Sequence, residues 1–188
     1  MKRVLIILSV ITLGLTNIQC SNDNDDVIAR QDDTHTLWVN DMPFVIAANQ
    51  PGASFNTTQF MTAPTNNTAK VRTFIMVNQM ESVSDMKTIT LAVSYPATQA
   101  TINGTYPIMQ TLSFDENSAL ISYMDSDGGF GGEEFNATGS VTITDNGNNN
   151  YKLVFNNVIT QGVTSSGTKT ITGYCQPTFA VINAPGKK

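Results

Sequence analysis

A single histidine, His35, occurs in the 188 residues, and there are only two cysteines, Cys20 and Cys175. A Ser-His-Asp triad needs a histidine within the folded domain and a two-histidine metal site needs two, so neither fits inside one chain. His35 precedes the first β-patterned stretch and reads as a linker residue. Charged residues make up 13% of the chain, with no cluster of Lys and Arg. Nucleic-acid binding driven by counterion release is therefore set aside. The apolar run Val4 to Leu15 is shorter than the roughly 20 residues that span a bilayer, and no later stretch is apolar enough to cross one. A phosphate-cradling loop and a dinucleotide fingerprint are both missing. Helical spacing is absent from the whole region after Thr36.

What is present begins at the amino terminus. Lys2 and Arg3 precede the apolar run "VLIILSVITLGL" (Val4 to Leu15), and Cys20 stands where that run gives way to "SNDNDD". A positive start and a short apolar run predict a signal peptide over 1–19. A cysteine at its end predicts cleavage before Cys20 and lipidation of the sulfur. At about 0.8 kcal/mol per buried methylene, two or three acyl chains hold a soluble domain on a membrane almost permanently. Gln19 departs from the small residue usual before such a cysteine. Two alternatives compete: a disulfide between Cys20 and Cys175, and ordinary signal cleavage near Gly14 or Thr16. The first is opposed by position, because Cys20 lies in a polar arm with nothing to dock it.

Removing Lys2 and Arg3 with the signal leaves eight basic against fifteen acidic residues, five of the acids lying between Asp23 and Asp33. The arm over 20–35 has little to bury, and a polar acidic tract of this kind is expected to be a disordered tether. Its opening, "CSNDNDD", resembles that of surface lipoproteins of the Bacteroidetes type. The resemblance implies export to the outer face of the outer membrane.

From Thr36 onward the pattern has period two, which predicts strands with one buried face. "KTITLAVSYP" sets Ile89, Leu91, Val93 and Tyr95 against Thr88, Thr90 and Ser94. Val141 and Ile143, then Tyr151, Leu153 and Phe155, alternate in the same way. So do Ile171, Cys175, Phe179 and Val181. Asn-Gly within "DNGNNN" (Asp145 to Asn150) marks a hairpin, and "VND" (Val39 to Asp41) marks another break. "ING" before Tyr106 and "TSSG" before Thr168 are further breaks. The region from Gln50 to Lys70 is the least regular. The expected fold is all-β, a single antiparallel β-sandwich or flattened barrel of roughly eight to ten strands over 36–183, with a short tail over 184–188. "WVNDMPF", "NGTYPI" and "GSVTITDNGNNNYKLVF" are similar to small Bacteroidetes lipoproteins classed as a domain of unknown function. That resemblance implies no activity and no catalytic residues.

Cys175 alternates with core positions and reads as a small buried apolar residue. "DSDGGFGGEE" (Asp125 to Glu134) is the one chemically suggestive stretch. Asp125, Asp127, Glu133 and Glu134 supply hard oxygen ligands suited to calcium, against the plainer reading of a solvated loop. The same acids could form a glycosidase pair, but adjacent Glu133 and Glu134 in a strand point to opposite faces. Asn56, Asn66, Asn103 and Asn136 begin Asn-x-Thr triplets and read as ordinary β surface. The expectation is a non-enzymatic, lipid-anchored envelope protein with no cofactor, its membrane contact made through Cys20. A lipocalin-like carrier of a small hydrophobic ligand is the alternative, and a carboxylate hydrolase comes third.

Overall fold

The computed structural model describes residues 36–51, 53–62, 68–79, 85–113, 117–125, 133–162 and 167–182. The signal segment 1–19, Cys20, the tether with His35 and the tail 184–188 lie outside the described residues, as do most of "TSSG" and Asn66. The strands are β1 (Thr36–Val39), β2 (Met42–Pro43), β3 (Thr57–Thr62), β4 (Ala69–Val77), β5 (Lys87–Pro96) and β6 (Gly104–Pro107). They continue with β7 (Ser118–Asp125), β8 (Glu133–Asp145), β9 (Tyr151–Gly162), β10 (Thr168–Cys175) and β11 (Ala180–Val181). Nine of these have four or more residues and two have only two, in keeping with the expected count.

The strands form two layers, one of five strands in the order β11-β3-β4-β5-β7, the other of six, β8-β9-β10-β1-β2 with β6 on β8. At one corner Tyr123↔Glu134 and Met124↔Glu133 pair β7 with β8, and isolated bridges Ile46↔Asn78 and Ile108↔Ala119 link the layers elsewhere. They do not close into a barrel, so the architecture is compatible with the sandwich and not with the flattened barrel. Among the described strands β11 departs from the antiparallel expectation by lying parallel to β3, and the isolated bridge Ile108↔Ala119 is also parallel.

Local chemistry accounts for the turns. Asn40 and Asp41 both hold positive φ, 49° and 60°, as a two-residue type I′ hairpin requires. Asparagine and aspartate tolerate that region better than other side chains. The β8–β9 hairpin likewise places Gly147, Asn148 and Asn149 at positive φ. Within β8 the register slips twice between Phe135 and Ser140, where the strand leaves β7 and takes up β6. Gly139 sits at that bend with φ of 106°, and a Cβ there would lie 2.5 Å from the Asn157 carbonyl oxygen. A side chain has no room at this crossing.

The core is the space between the layers. Phe74, Leu91 and Ile121 stand in register across β4, β5 and β7. Ile143, Leu153 and Cys175 do the same across β8, β9 and β10. All six are almost fully buried in one cluster. At about 1.5–3 kcal/mol per large apolar side chain, such ladders are the main stabilising term. The layers meet through Phe74, whose ring centroid lies 5.1 Å from those of both Tyr151 and Phe179, edge to face.

Three expectations are corrected. Val181 is 45% exposed, because the chain crosses between layers over 176–179 and the alternation of β10 does not carry through. Thr88 and Ser94 are buried while Thr90 between them is part-exposed, so this face of β5 is solvated only in its middle. Asn56 is also buried and not β surface: its backbone carbonyl accepts from Ala180 N, and its side chain bonds the Ala47 carbonyl.

Candidate functional site

The inward face of β4 changes character along its length. Successive inward positions are Met76, Phe74, Arg72 and Lys70, so two core residues are followed by two cations on the same side. Cross-strand pairing extends this face sideways: Arg72 stands opposite Phe60 on β3 and Val93 on β5, and Lys70 stands opposite Tyr95. The second layer contributes Tyr151, the first residue of β9, and Asp145, its register partner at the end of β8. Together with Ala100, Thr101 and Ile102 of the β5–β6 connection, these side chains line a cleft of about 230 Å³ at one end of the sandwich.

The cleft walls are pinned from several directions. Arg72 Nη2 donates to the Tyr151 hydroxyl at 2.6 Å, with its guanidinium carbon 5.2 Å from that ring's centroid. Lys70 Nζ donates to the Gln99 carbonyl at 3.0 Å and lies 5.9 Å from the centre of the Tyr95 ring. The Gln99 side chain in turn donates to the Thr101 and Asn103 carbonyls. Tyr106, fully buried, donates its hydroxyl to the Ile102 carbonyl at 2.6 Å. Asp145 N donates to Asn103 Oδ1, which ties the β8–β9 hairpin to the β5–β6 connection. These bonds make a rigid mouth out of two connecting segments.

Electrostatically the cleft is unbalanced. Among the described residues neither Lys70 nor Arg72 has a carboxylate within 4.0 Å, and the buried Arg72 Nε has no hydrogen-bond partner. Asp145 supplies one negative charge at the edge, its Oδ1 accepting from Gly147 N at 2.9 Å. Burial raises the pKa values of Tyr95 and Tyr151, partly offset by the Arg72 charge, so both phenols stay protonated as donors at neutral pH. The arrangement offers two cations, two phenols and the half-exposed Phe60 ring. These groups suit an anion with an apolar face.

A second cleft, of about 320 Å³, is lined among the described residues by Ile46, Ala47, Ala48, Asn49, Asn56 and Gln176 to Thr178, none of them charged. Asn49 and Asn56 there hold neighbouring backbone, Asn49 bonding Asn56 through both its N–H and its carbonyl. That cleft reads as a joint that seats the crossing segment before β11.

The residues singled out in the sequence fare differently. Asp125 Oδ2 accepts from the Tyr123 hydroxyl at 3.2 Å and lies 3.9 Å from Lys87 Nζ, at the far end of β5 from the cleft. Asp127 and the side chains of Glu133 and Glu134 lie outside the described residues. No group of three His, Cys, Asp or Glu side chains suited to a metal occurs among the described residues. Cys175 is fully buried against Met76, and burial pushes its thiol pKa up, so it packs as expected and offers no nucleophile. The cleft itself escaped the sequence reading. The signal was there in "AKVRTFIMV", where Lys70 and Arg72 fall in phase with Phe74 and Met76 instead of on the solvent face. Comparison with protein-family models, with curated proteins and with solved structures finds no match to this chain.

Proposed function

We propose that the protein is a lipid-anchored cell-envelope module, displayed from the outer membrane through Cys20, which binds a small ligand in the cleft at the end of its sandwich and does no chemistry on it. The observation that carries the binding half is the pair Lys70 and Arg72, turned inward without a carboxylate partner among the described residues. Charges taken partly out of water without a partner are costly, and such costs concentrate at functional sites. Support for binding over catalysis comes from the lining itself. It has one carboxylate, Asp145, where a glycoside-cleaving site uses two, and it has phenols held in their protonated form. The anchoring half rests on the charged start, the short apolar run and the acidic arm after Cys20, and on the resemblance to Bacteroidetes-type surface lipoproteins.

A hydrophobic-ligand carrier needs a lined hollow between its sheets. Here Leu91, Phe155 and Phe179 belong to one packed cluster, and the cleft at the end of the sandwich is lined by charged and phenolic side chains. The test of the anchored reading is metabolic labelling with palmitate in the native host. Label is expected in the wild type and not in Cys20→Ser, and protease added to intact cells should remove the wild-type domain. Equal labelling of both forms contradicts the reading.

A further inference from the structure

We infer that the end cleft recognises an acidic monosaccharide: a single sugar ring bearing one carboxylate and several hydroxyls, of the hexuronate class. The inference rests on the binding reading above and gives that site its ligand chemistry. Three features carry it.

The first is charge. Lys70 and Arg72 against Asp145 leave the cleft one positive charge in excess, which a monoanion balances. A zwitterionic amino acid would leave that excess in place. A phosphate dianion would overshoot it and would set a second negative charge near Asp145. The second is hydrogen-bond polarity. Among the described residues Asp145 has no cation within 4.0 Å, so it calls for a neutral donor from the ligand, which a sugar hydroxyl supplies and a bare anion does not. Tyr95 and Tyr151 add phenol groups that both donate and accept. The third is shape. Phe60, 42% exposed at the rim, provides apolar surface for the C–H face of a ring, while the buried Tyr95 and Tyr151 line the cleft beneath it. The volume of about 230 Å³ falls below the roughly 300–1,000 Å³ of pockets for drug-sized ligands, and so fits one ring better than a chain of them.

The two-connection mouth suits this task. Tyr106 and Gln99 hold the β5–β6 connection, and the Asp145–Asn103 bond holds the hairpin, so little ordering is needed when a ligand enters. Lys70 Nζ, now on the Gln99 carbonyl, keeps two further N–H donors for the carboxylate.

The experiment uses the full chain in detergent, titrated by NMR with glucuronate and galacturonate. Their neutral parents glucose and galactose, acetate, phosphate and glycine serve as comparison probes. The uronates should bind saturably, and each comparison probe should bind at least about tenfold more weakly, since each lacks the carboxylate, the hydroxyls or the single net charge. Arg72→Gln and Lys70→Gln should each weaken uronate binding by at least about tenfold with an unchanged melting temperature. Glucose binding as well as glucuronate would overturn the inference. So would uronate binding that neither substitution weakens, because the sugar would then sit elsewhere. Acetate or phosphate binding as tightly as uronate, and lost in Arg72→Gln, overturns the sugar class while leaving the cleft a binding site. If none of the probes binds, the acidic-sugar inference falls, and the anchored reading is decided separately by palmitate labelling.

Discussion

Cys175 Sγ lies 3.6 Å from Met76 Sδ, a contact between β10 and β4 that joins the two layers of the sandwich at full burial. Two soft, polarisable atoms meet where a hydroxyl would find no good partner. Cys175→Ser is therefore expected to destabilise by about 1–3 kcal/mol, measured by denaturant unfolding. The native thiol should resist alkylation until the domain unfolds. Rapid labelling under native conditions would contradict its burial.

The buried acids also set a pH dependence. Burial pushes the Tyr106 phenol from its ordinary value of 10.0 up to about 12, and pushes the Cys175 thiol up as well. A folded pKa above the unfolded one means that stability is fully present below the unfolded value and is lost as pH rises toward the folded one. Unfolding free energy should hold to about pH 9 and then fall, with Tyr106 alone accounting for about 2 kcal/mol by pH 12. Tyr106→Phe should cost stability at neutral pH, by freeing the Ile102 carbonyl, yet flatten the fall between pH 10 and 12. An unchanged slope in that variant would count against this account.

Much of the fold was legible because sheet burial writes itself with period two. The inward set Ile89, Leu91, Val93 and Tyr95 and the hairpins at Asn40–Asp41 and 146–150 follow directly from alternation and turn chemistry. Where one residue type serves an unusual face, the pattern misleads. Thr88 and Ser94 look like solvent-facing residues and are buried, and Val181 looks like core and is exposed. Lys70 and Arg72 look like the outer face of a strand and point inward. Period two assigns a face only if polar residues avoid the core, and a binding site breaks that condition. The parallel β3–β11 pairing was hidden for another reason: a two-residue strand whose partners lie 123 positions away leaves no local trace.

Two glycines of the hairpin region separate steric from conformational cost. Gly139→Ala places a Cβ against the Asn156 and Asn157 carbonyls at positive φ, and should destabilise by about 3 kcal/mol or more. Gly147→Ala meets nothing within 4 Å and carries only its φ of 80°, so about 1 kcal/mol is expected. Equal melting temperatures for the two variants would show that β8 does not cross β9 as closely as described.

Asp125, at the end of β7, has Tyr123 and Lys87 as neighbours, and the acidic stretch that follows it is expected to be a solvated loop. Millimolar calcium should then shift the melting temperature of the wild type no more than that of Asp125→Asn with Asp127→Asn. Calcium at about a hundred times its dissociation constant would stabilise a true site by roughly 2.7 kcal/mol. A shift of that size that the double substitution abolishes would make the loop a metal site.

On the proposed reading, Lys70 and Arg72 face inward for a ligand and not for the fold. That reading is tested without knowing the ligand, by denaturant unfolding of the free protein carrying both Lys70→Gln and Arg72→Gln. Glutamine keeps a donor for the Gln99 carbonyl and the Tyr151 hydroxyl while removing two unpaired charges. The unfolding free energy should stay within about 1 kcal/mol of wild type or rise, as expected where function and stability are traded. A loss of about 3 kcal/mol or more, the size seen when a buried ionic network is broken, would contradict the claim and make the two cations part of the scaffold.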